Sequence, residues 1–178
     1  MACVRFLLDG RVVCAENVSC TTTVLEYLRE GLGRTGTKEG CAEGDCGACT
    51  VVLGELSADG GSVVYRAVNS CIRFLPTIDG QEVVTVESLS GANGGLHPVQ
   101  QAMVDHHASQ CGFCTPGFVM SLFALYLRSM APTREEVLDT LSGNLCRCTG
   151  YRPIVEAGLR MGHYPTPPHW NRDAPMLT

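Results

Sequence analysis

The cysteine pattern constrains this chain more than any other feature of its sequence. Eleven of its 178 residues are cysteine, and most of them fall in tight local groups. A secreted protein held by disulfides is one explanation for so many cysteines. The odd count, the tight grouping and the absence of a basic and then apolar leader weigh against it. Clustered cysteines in a reducing compartment more often bind metal or do redox work, so we expect a cytoplasmic metalloprotein.

The first group of cysteines has the C-x4-C-x2-C…C spacing of a plant-type [2Fe–2S] site. Its members are Cys41, Cys46, Cys49 and Cys71. Two irons bridged by two sulfides need four thiolates on two sides of a flat rhomb, so the loop that carries three of them must wrap closely. Glycines in this loop permit positive φ and bring N–H groups near the anionic cluster; they are Gly40, Gly44 and Gly47. The alternative is structural zinc, which generally uses paired C-x2-C knuckles.

The second group consists of two short pairs, each beside the end of a predicted helix. The pairs are Cys111 with Cys114 and Cys146 with Cys148. Residues two apart point away from each other in a helix or a strand, so the C-x-C pair requires an irregular turn. Gly143 and Gly150 flank that pair and permit such a turn. The spacing favours an iron–sulfur site, and a thioredoxin-like redox pair or half a zinc site remains open.

Hydrophobic periodicity divides the chain into two units and a tail. Residues 1–78 show a hairpin, a helix, the first cysteine loop and further strands, which is typical of a small α+β domain. Residues 79–162 contain four predicted helices with short connections, which favours a four-helix bundle. The helices are predicted at 98–107, 115–130, 133–141 and 153–161. Thr115 is expected to cap the second of these, Thr133 and Glu136 to form a capping box at the third, and residues 21–23 to offer N-caps for the helix of the first unit. Residues 163–178 are rich in proline and are predicted to form an extended arm with Trp170 as a candidate anchor for a partner.

Charge and composition exclude several functions. The net charge of −5 and the pI near 5.5 give no basic face, so nucleic acid is not expected as a partner. The longest apolar run, residues 118–127, is too short to span a membrane. No G-x-G-x-x-G motif follows a strand, and no arrangement of nucleophile and base is credible, so no catalytic residue is predicted. The remaining cysteines are interpreted as small buried apolar residues; they are Cys3, Cys14 and Cys20.

Four motifs, in order, resemble the iron–sulfur part of the molybdenum hydroxylases, a family that includes xanthine dehydrogenase, aldehyde oxidase and carbon monoxide dehydrogenase. The motifs are residues 35–41, 44–50, 109–117 and 143–151. The long gap between Cys49 and Cys71, together with the segment 96–107, is most similar to the xanthine dehydrogenase branch.

This resemblance implies a β-grasp, ferredoxin-like [2Fe–2S] domain that carries the first cysteine set, followed by an all-α four-helix-bundle [2Fe–2S]-binding domain that carries the second. It also implies that the second cluster lies beside a molybdopterin cofactor and the first faces FAD, with both cofactors on partner subunits. Gln110 matches the residue whose amide binds the pterin, and Cys148 matches the ligand nearest to it. The alternative for Gln110 is an amide that caps local backbone.

The function implied by the resemblance is electron relay from molybdopterin through two clusters to FAD and NAD+ during purine hydroxylation. The same role in an aldehyde or N-heterocycle oxidoreductase is an alternative, and a zinc-stabilised interaction module without redox function is a remote one. The expected partners are a large molybdopterin-binding subunit and an FAD-binding subunit or domain, assembled as a dimer of heterotrimers. Many relatives continue into a flavin domain, so either the flavin is on a separate subunit or this chain is a piece of a longer one.

Overall fold

Alternating apolar residues in the first half form a mixed five-stranded sheet in the computed structural model, which describes residues 3–91 and 94–166. The strands are β1 Cys3–Leu8, β2 Arg11–Glu16, β3 Thr50–Leu56, β4 Val63–Asn69 and β5 Glu82–Val84. Their order in the sheet is β2-β1-β5-β3-β4. Only the β1–β5 pairing is parallel among these strands.

The hairpin predicted at the start of the chain is present. Asp9 and Gly10 form its turn with φ of 50° and 75°, the left-handed conformation that a tight hairpin turn requires. Strands β1 and β2 pair from Cys3 opposite Glu16 to Leu8 opposite Arg11.

The first helix begins where its capping residues predict. Thr23 accepts a hydrogen bond from the backbone N–H of Glu26, and the Glu26 carboxylate accepts one from the backbone N–H of Thr23. This capping box opens α1, Val24–Glu26, which continues as a π-turn over Tyr27–Gly31. Its apolar face packs on one side of the sheet, where Phe6, Leu8, Val24, Leu28, Val51, Leu53, Leu75, Ile78 and Val83 form one core.

Strand β5 lies beyond the predicted boundary at residue 78 and nevertheless belongs to the first sheet. It pairs with β1 through Leu7 and Leu8 and with β3 through residues 52–54. The sheet therefore extends to Val84. Three residues are too few for an alternating pattern to stand out, so the sequence does not distinguish this strand from a linker between the two units.

Four helices lie in the second half of the described chain. They are α2 Pro98–Asp105, α3 Thr115–Arg128, α4 Arg134–Leu141 and α5 Arg152–Arg160. The predicted capping box of Thr133 and Glu136 is present at the start of α4. Pro98 opens α2 as predicted, and the His97 side chain caps this helix by accepting from Val99 N–H. The start of α3 differs from expectation, because Thr115 is its first residue and Cys114 is the N-cap residue.

The two halves share a hydrophobic core. Along β3, Val51 and Leu53 face α1, whereas Val52 packs in the same cluster as Phe118 and Phe123 of α3. The period of two in a strand explains how one apolar run serves both faces. The sheet is thus covered by α1 on one side and by the helical half on the other, which fixes the two cysteine sets relative to each other.

The prediction that the three remaining cysteines are buried is wrong. Cys20 is exposed. Cys3 and Cys14 are also accessible, and they form a disulfide across the β1–β2 hairpin with Cα atoms 5.8 Å apart. The register places them diagonally on one face, since Cys14 lies opposite Arg5. Strand β2 is at the edge of the sheet, so that face meets solvent.

The beginning of the predicted arm packs on the helices. The Tyr164 hydroxyl donates to the Asp105 carboxylate at 2.9 Å, and the hydroxyls of Thr166 and Tyr126 are 2.6 Å apart. Trp170 and the rest of the arm lie outside the described residues, so the proposed anchor stays a prediction. Among the described helices, none has both the length and the apolar character that a membrane span needs.

Candidate metal centres

The first cysteine set converges in the loop before β3. Cys41 and Cys46 face each other, because the backbone N–H of each donates to the sulfur of the other, at 3.4 and 3.3 Å. Cys49 and Cys71 are buried together against Leu25. The structure therefore brings the four predicted residues together as two thiol pairs.

Hydrogen bonds from the loop backbone and burial shift the pKa values of these thiols in opposite directions. Hydrogen bonds from the N–H groups of Glu43, Cys46 and Asp45 lower the pKa of Cys41 to about 7. Burial, with the neighbouring Cys49, raises the pKa of Cys71 to about 12. A thiolate at Cys71 therefore requires a nearby cation, and iron supplies one.

The loop reaches this shape through left-handed residues. Gly44 and Gly47 have φ of 82° and 69°, as predicted. The prediction for Gly40 is wrong in mechanism, because its φ is not positive; a Cβ there would instead lie 2.8 Å from the Cys46 sulfur. Ala42 is left-handed with φ 57°, which sequence reasoning did not anticipate. The close wrapping of this loop therefore depends on left-handed backbone at some residues and on the absence of a side chain at Gly40.

Two polar residues at the end of β4 fix the distant ligand, and sequence reasoning missed both. The Asn69 side chain donates to the Gly44 carbonyl at 2.6 Å, and the Ser70 hydroxyl donates to the Cys49 carbonyl at 2.7 Å. They tie the strand that precedes Cys71 to the loop that carries the other three cysteines. Their position beside Cys71 was the only signal available in the sequence.

The second cysteine set also sorts into two pairs. Cys114 interacts with Cys146, and Cys111 interacts with Cys148. The irregular turn predicted for the C-x-C pair is present. Its conformation is held by Tyr151, which has φ of 67° and whose hydroxyl accepts from the Cys146 N–H at 2.9 Å.

Burial and local hydrogen bonds shift these thiols in different directions. Burial and the neighbouring Cys146 raise the pKa of Cys114 to about 12. Although burial also raises the pKa of Cys146, hydrogen bonds from Thr149 and the backbone of Cys148 bring it below its ordinary value. Contact with Cys111 raises the pKa of Cys148. The set thus combines a thiol with a lowered pKa, Cys146, and two thiols with raised pKa values, Cys114 and Cys148.

The donor sets fit [2Fe–2S] clusters. Each iron of such a cluster takes two thiolates, so a pair of thiol pairs is the arrangement that the rhomb needs. Within residues 3–91 and 94–166, no group of three or more Cys, His, Asp or Glu side chains is placed to hold a single metal ion. The helix start also suits an anionic cluster, since Cys114 is the N-cap residue of α3 and the positive end of the helix dipole lies there.

A direct connection joins the two sets. The Leu145 N–H donates to the carbonyl of Cys46 at 2.9 Å. Cys46 belongs to the first set, and Leu145 is bonded to Cys146 of the second. A path between the sets therefore runs from Cys46 through a single hydrogen bond to Leu145 and on to Cys146.

The two candidates for the pterin contact lie at the surface. Gln110 and Cys148 are both exposed, as is Cys111. The pterin contact and the local capping alternative for Gln110 both stay predictions. Phe113 and Leu145 are about half exposed beside them, at 49% and 53%. The second set therefore opens on a surface with apolar side chains.

Both halves match known families. Residues 6–72 match the family described as 2Fe-2S iron-sulfur cluster binding domain, and residues 85–159 match the [2Fe-2S] binding domain. Xanthine dehydrogenase 1 of Arabidopsis thaliana is 52% identical over 76% of this chain and 10% of its own length. Aldehyde oxidase 2 of Cavia porcellus is 46% identical over 86% of this chain and 12% of its own. The chain thus spans about a tenth of the curated relatives it matches.

Solved structures agree with this assignment. Quinoline 2-oxidoreductase from Pseudomonas putida 86 contains a chain with TM-score 0.77 and 35% identity, covering 91% of this chain and 94% of that one. Aldehyde oxidoreductase from Desulfovibrio gigas gives TM-score 0.79 and 36% identity, covering 91% of this chain and 17% of that one.

The ferredoxin-like half, the helical half and their two cysteine sets define an iron–sulfur electron-transfer protein with two [2Fe–2S]-binding domains. The chain belongs to the iron–sulfur subunits and domains of the molybdenum hydroxylases.

Proposed function

We propose that this chain relays electrons between a molybdopterin centre and FAD in a xanthine dehydrogenase-type enzyme that hydroxylates purines. The observation that carries the proposal is the pairing of two four-thiol sets, joined by the Leu145–Cys46 hydrogen bond, in one folded unit. In this proposal the chain's own residues carry electrons, and the substrate is oxidised on a partner subunit.

We assign the ligands as the sequence predicts them. The first cluster is held by Cys41, Cys46, Cys49 and Cys71, and the second by Cys111, Cys114, Cys146 and Cys148. Bound there, [2Fe–2S] clusters supply one-electron carriers. The N–H groups of the loop at Cys41 and the start of α3 at Cys114 stabilise the negative charge on each side. We also regard the first half as a β-grasp domain and the four helices as a four-helix bundle.

The exposed side of the second set suits a partner that carries molybdopterin. A solvent-facing thiol pair leaves its cluster open on one side, and the half-exposed Phe113 and Leu145 favour coverage by another protein surface. The Gln110 amide has both a donor and an acceptor available for a polar heterocycle such as the pterin. Cys148, in the exposed pair, is then the ligand nearest to it.

The first set has its own apolar rim, which suits the FAD-bearing partner. Ile72 and Phe74 follow Cys71 and are 57% and 45% exposed. Electrons would then enter at the second set, cross to the first and leave to FAD, with NAD+ as the final acceptor. A cytoplasmic dimer of heterotrimers, with a molybdopterin-binding subunit and an FAD-binding subunit or domain, is the assembly we expect.

A second candidate is the same relay in an aldehyde or N-heterocycle oxidoreductase. Similarity to Cavia porcellus aldehyde oxidase 2 and to quinoline 2-oxidoreductase favours it. Greater identity to Arabidopsis thaliana xanthine dehydrogenase 1 makes the purine enzyme the first choice.

The substrate proposal is tested on the complex purified with its natural partner chains. Hypoxanthine or xanthine, an aliphatic aldehyde and quinoline are added separately without oxygen, and bleaching of the visible iron–sulfur absorbance is followed. We expect the purines to reduce the clusters fastest. Rapid bleaching by the aldehyde or by quinoline, with none by purines, would show that the enzyme does not oxidise purines. The proposed electron relay would still stand. A colourless complex containing zinc would remove the relay itself.

A further inference from the structure

A buried side-chain amide lies where the two cysteine-bearing segments meet, and the sequence motifs predicted no role for it. Asn144 is 4% exposed and immediately precedes Leu145. Its Nδ2 donates to the Gly47 carbonyl at 3.0 Å and to the Thr50 hydroxyl at 3.3 Å. Its Oδ1 accepts from the Ser121 hydroxyl of α3 at 2.7 Å. One side chain therefore holds three segments together.

Chemistry fixes the orientation of this amide. The carbonyl of Gly47 can only accept, so the NH2 group of Asn144 must face it, and the amide oxygen then meets the hydroxyl of Ser121. Thr50 completes the arrangement by donating its hydroxyl to the same Gly47 carbonyl at 2.7 Å. All of the polar side chains involved are at most 5% exposed. A buried network that is fully satisfied in this way rigidifies the groups that it joins.

This hydrogen-bond network lies next to the Leu145–Cys46 hydrogen bond that connects the two cysteine sets. Gly47 is adjacent to Cys46, whose carbonyl accepts from Leu145 N–H at 2.9 Å. The hydrogen bonds of Asn144 and of Leu145 therefore lie side by side between the same two segments. If the Asn144 bonds are lost, the two segments near the Leu145–Cys46 contact are held together by backbone packing, that of Gly117 and Gly143 on Gly47.

We propose that Asn144 is a positioning residue for electron passage between the two iron–sulfur sites, because its amide sets the separation and the hydrogen bond between their ligand segments. This inference rests on the proposed relay function. Asn144 binds no iron and touches no substrate. A single electron leaves one site and reaches the other, and no proton or additional reactant is needed.

The test uses the full chain, loaded with iron and sulfide and purified with its partner chains, as wild type and as Asn144→Ala. Fully reduced samples are compared by EPR, which reports the signal of each cluster and also the magnetic interaction between the two. We expect Asn144→Ala to keep two cluster signals and to lose most of the splitting that arises from their interaction. Thr50→Val, a near-isosteric change that removes one acceptor of the Asn144 amide, should produce a smaller loss.

A control separates positioning from general destabilisation. Val137 is fully buried in the helical core away from the network, so Val137→Ala should lower the melting temperature and leave the splitting unchanged. Wild-type splitting in Asn144→Ala overturns the inference, as does equal loss of splitting in Val137→Ala. If Asn144→Ala does not retain both clusters, the Thr50→Val variant provides the test. Splitting in Thr50→Val equal to that of wild type would then overturn the inference. Absence of two signals in the wild type would instead contradict the relay.

Discussion

The cysteines could be assigned to two sets from spacing alone, but their pairing within each set could not. The spacing identified which residues cooperate, because C-x4-C-x2-C confines three thiols to one loop. Pairing of Cys49 with Cys71, and of Cys111 with Cys148, depends on chain segments that meet only after folding. The residues that fix these contacts, such as Asn69 and Ser70, have no distinctive spacing and were missed for that reason.

Substitution of one exposed cysteine tests the independence of the two sets. We expect Cys148→Ser to weaken or abolish the cluster of the second set and to leave the first intact, because the serine hydroxyl is a poorer iron ligand and the first set is held by a different loop. Iron should fall from about four to about two per chain, and one of the two EPR signals should disappear. Cys20→Ser, an exposed cysteine outside both sets, should change neither. Equal loss of both signals in Cys148→Ser would contradict two separate sites.

A buried carboxyl predicts a pH dependence of stability. Glu82 is fully buried, and burial raises its pKa, although a hydrogen bond from the Tyr65 hydroxyl at 3.0 Å partly opposes this. In the unfolded chain the carboxyl ionises near pH 4.3. As pH rises above that value, unfolding releases a proton, so this residue lowers stability progressively until pH passes its raised folded pKa.

Glu82→Gln removes this ionisation and keeps an oxygen for Tyr65. We expect the melting temperature of the variant, relative to wild type, to rise as pH increases above about 4.3 and to level off once pH passes the raised pKa of the folded carboxyl. Glu16→Gln, the same change at an exposed position of β2, is the matched control. A constant or falling difference for Glu82→Gln would show that the carboxyl is not destabilised by burial.

Elements with strong local signals were predicted well, and elements defined by tertiary contacts were not. The hairpin turn at Asp9 and the capping box at Thr133 are local, so the sequence placed both correctly. Strand β5 is three residues long and exists because it fills the gap between β1 and β3. The cap of α2 by His97 likewise depends on burial of an imidazole against Phe123, which no sequence pattern indicates.

The contact between α3 and the first cysteine loop predicts an unusual response to alanine. Gly117 is in the first turn of α3, and a Cβ there would overlap the Gly47 carbonyl oxygen. Alanine in place of glycine normally stabilises a helix by about 1 kcal/mol. At Gly117 the clash between the new Cβ and the Gly47 carbonyl should outweigh this gain in helix stability, since overpacking costs about 1–3 kcal/mol.

We therefore expect Gly117→Ala to lower the melting temperature of the iron-loaded protein and to reduce retention of the first cluster. Gly143→Ala provides the comparison, because a Cβ added at Gly143 would meet no atom within 4 Å and the φ of this residue is not positive. The melting temperature of Gly143→Ala should be close to that of wild type. A melting temperature for Gly117→Ala at or above wild type would show that α3 and the loop are not in close contact.

At the scale of the whole molecule, the two halves form one unit because β3 contributes to both cores. Val52 packs with Phe118, and Val51 packs with Leu28 on the opposite side of the sheet. The shared strand and the Leu145–Cys46 hydrogen bond hold the two cysteine sets next to each other. The presence of a strand-rich half and a helical half was predictable from periodicity, whereas their close junction was not, since it is made by glycines and buried amides with no pattern of their own.

The most direct measurement is the iron and acid-labile sulfide content of the purified native protein, taken together with EPR of its reduced form. Two [2Fe–2S] clusters require about four iron and about four sulfide per chain, and we expect two distinct rhombic signals. Substantially less iron and sulfide, or a colourless protein that holds zinc in both cysteine sets, would contradict the account.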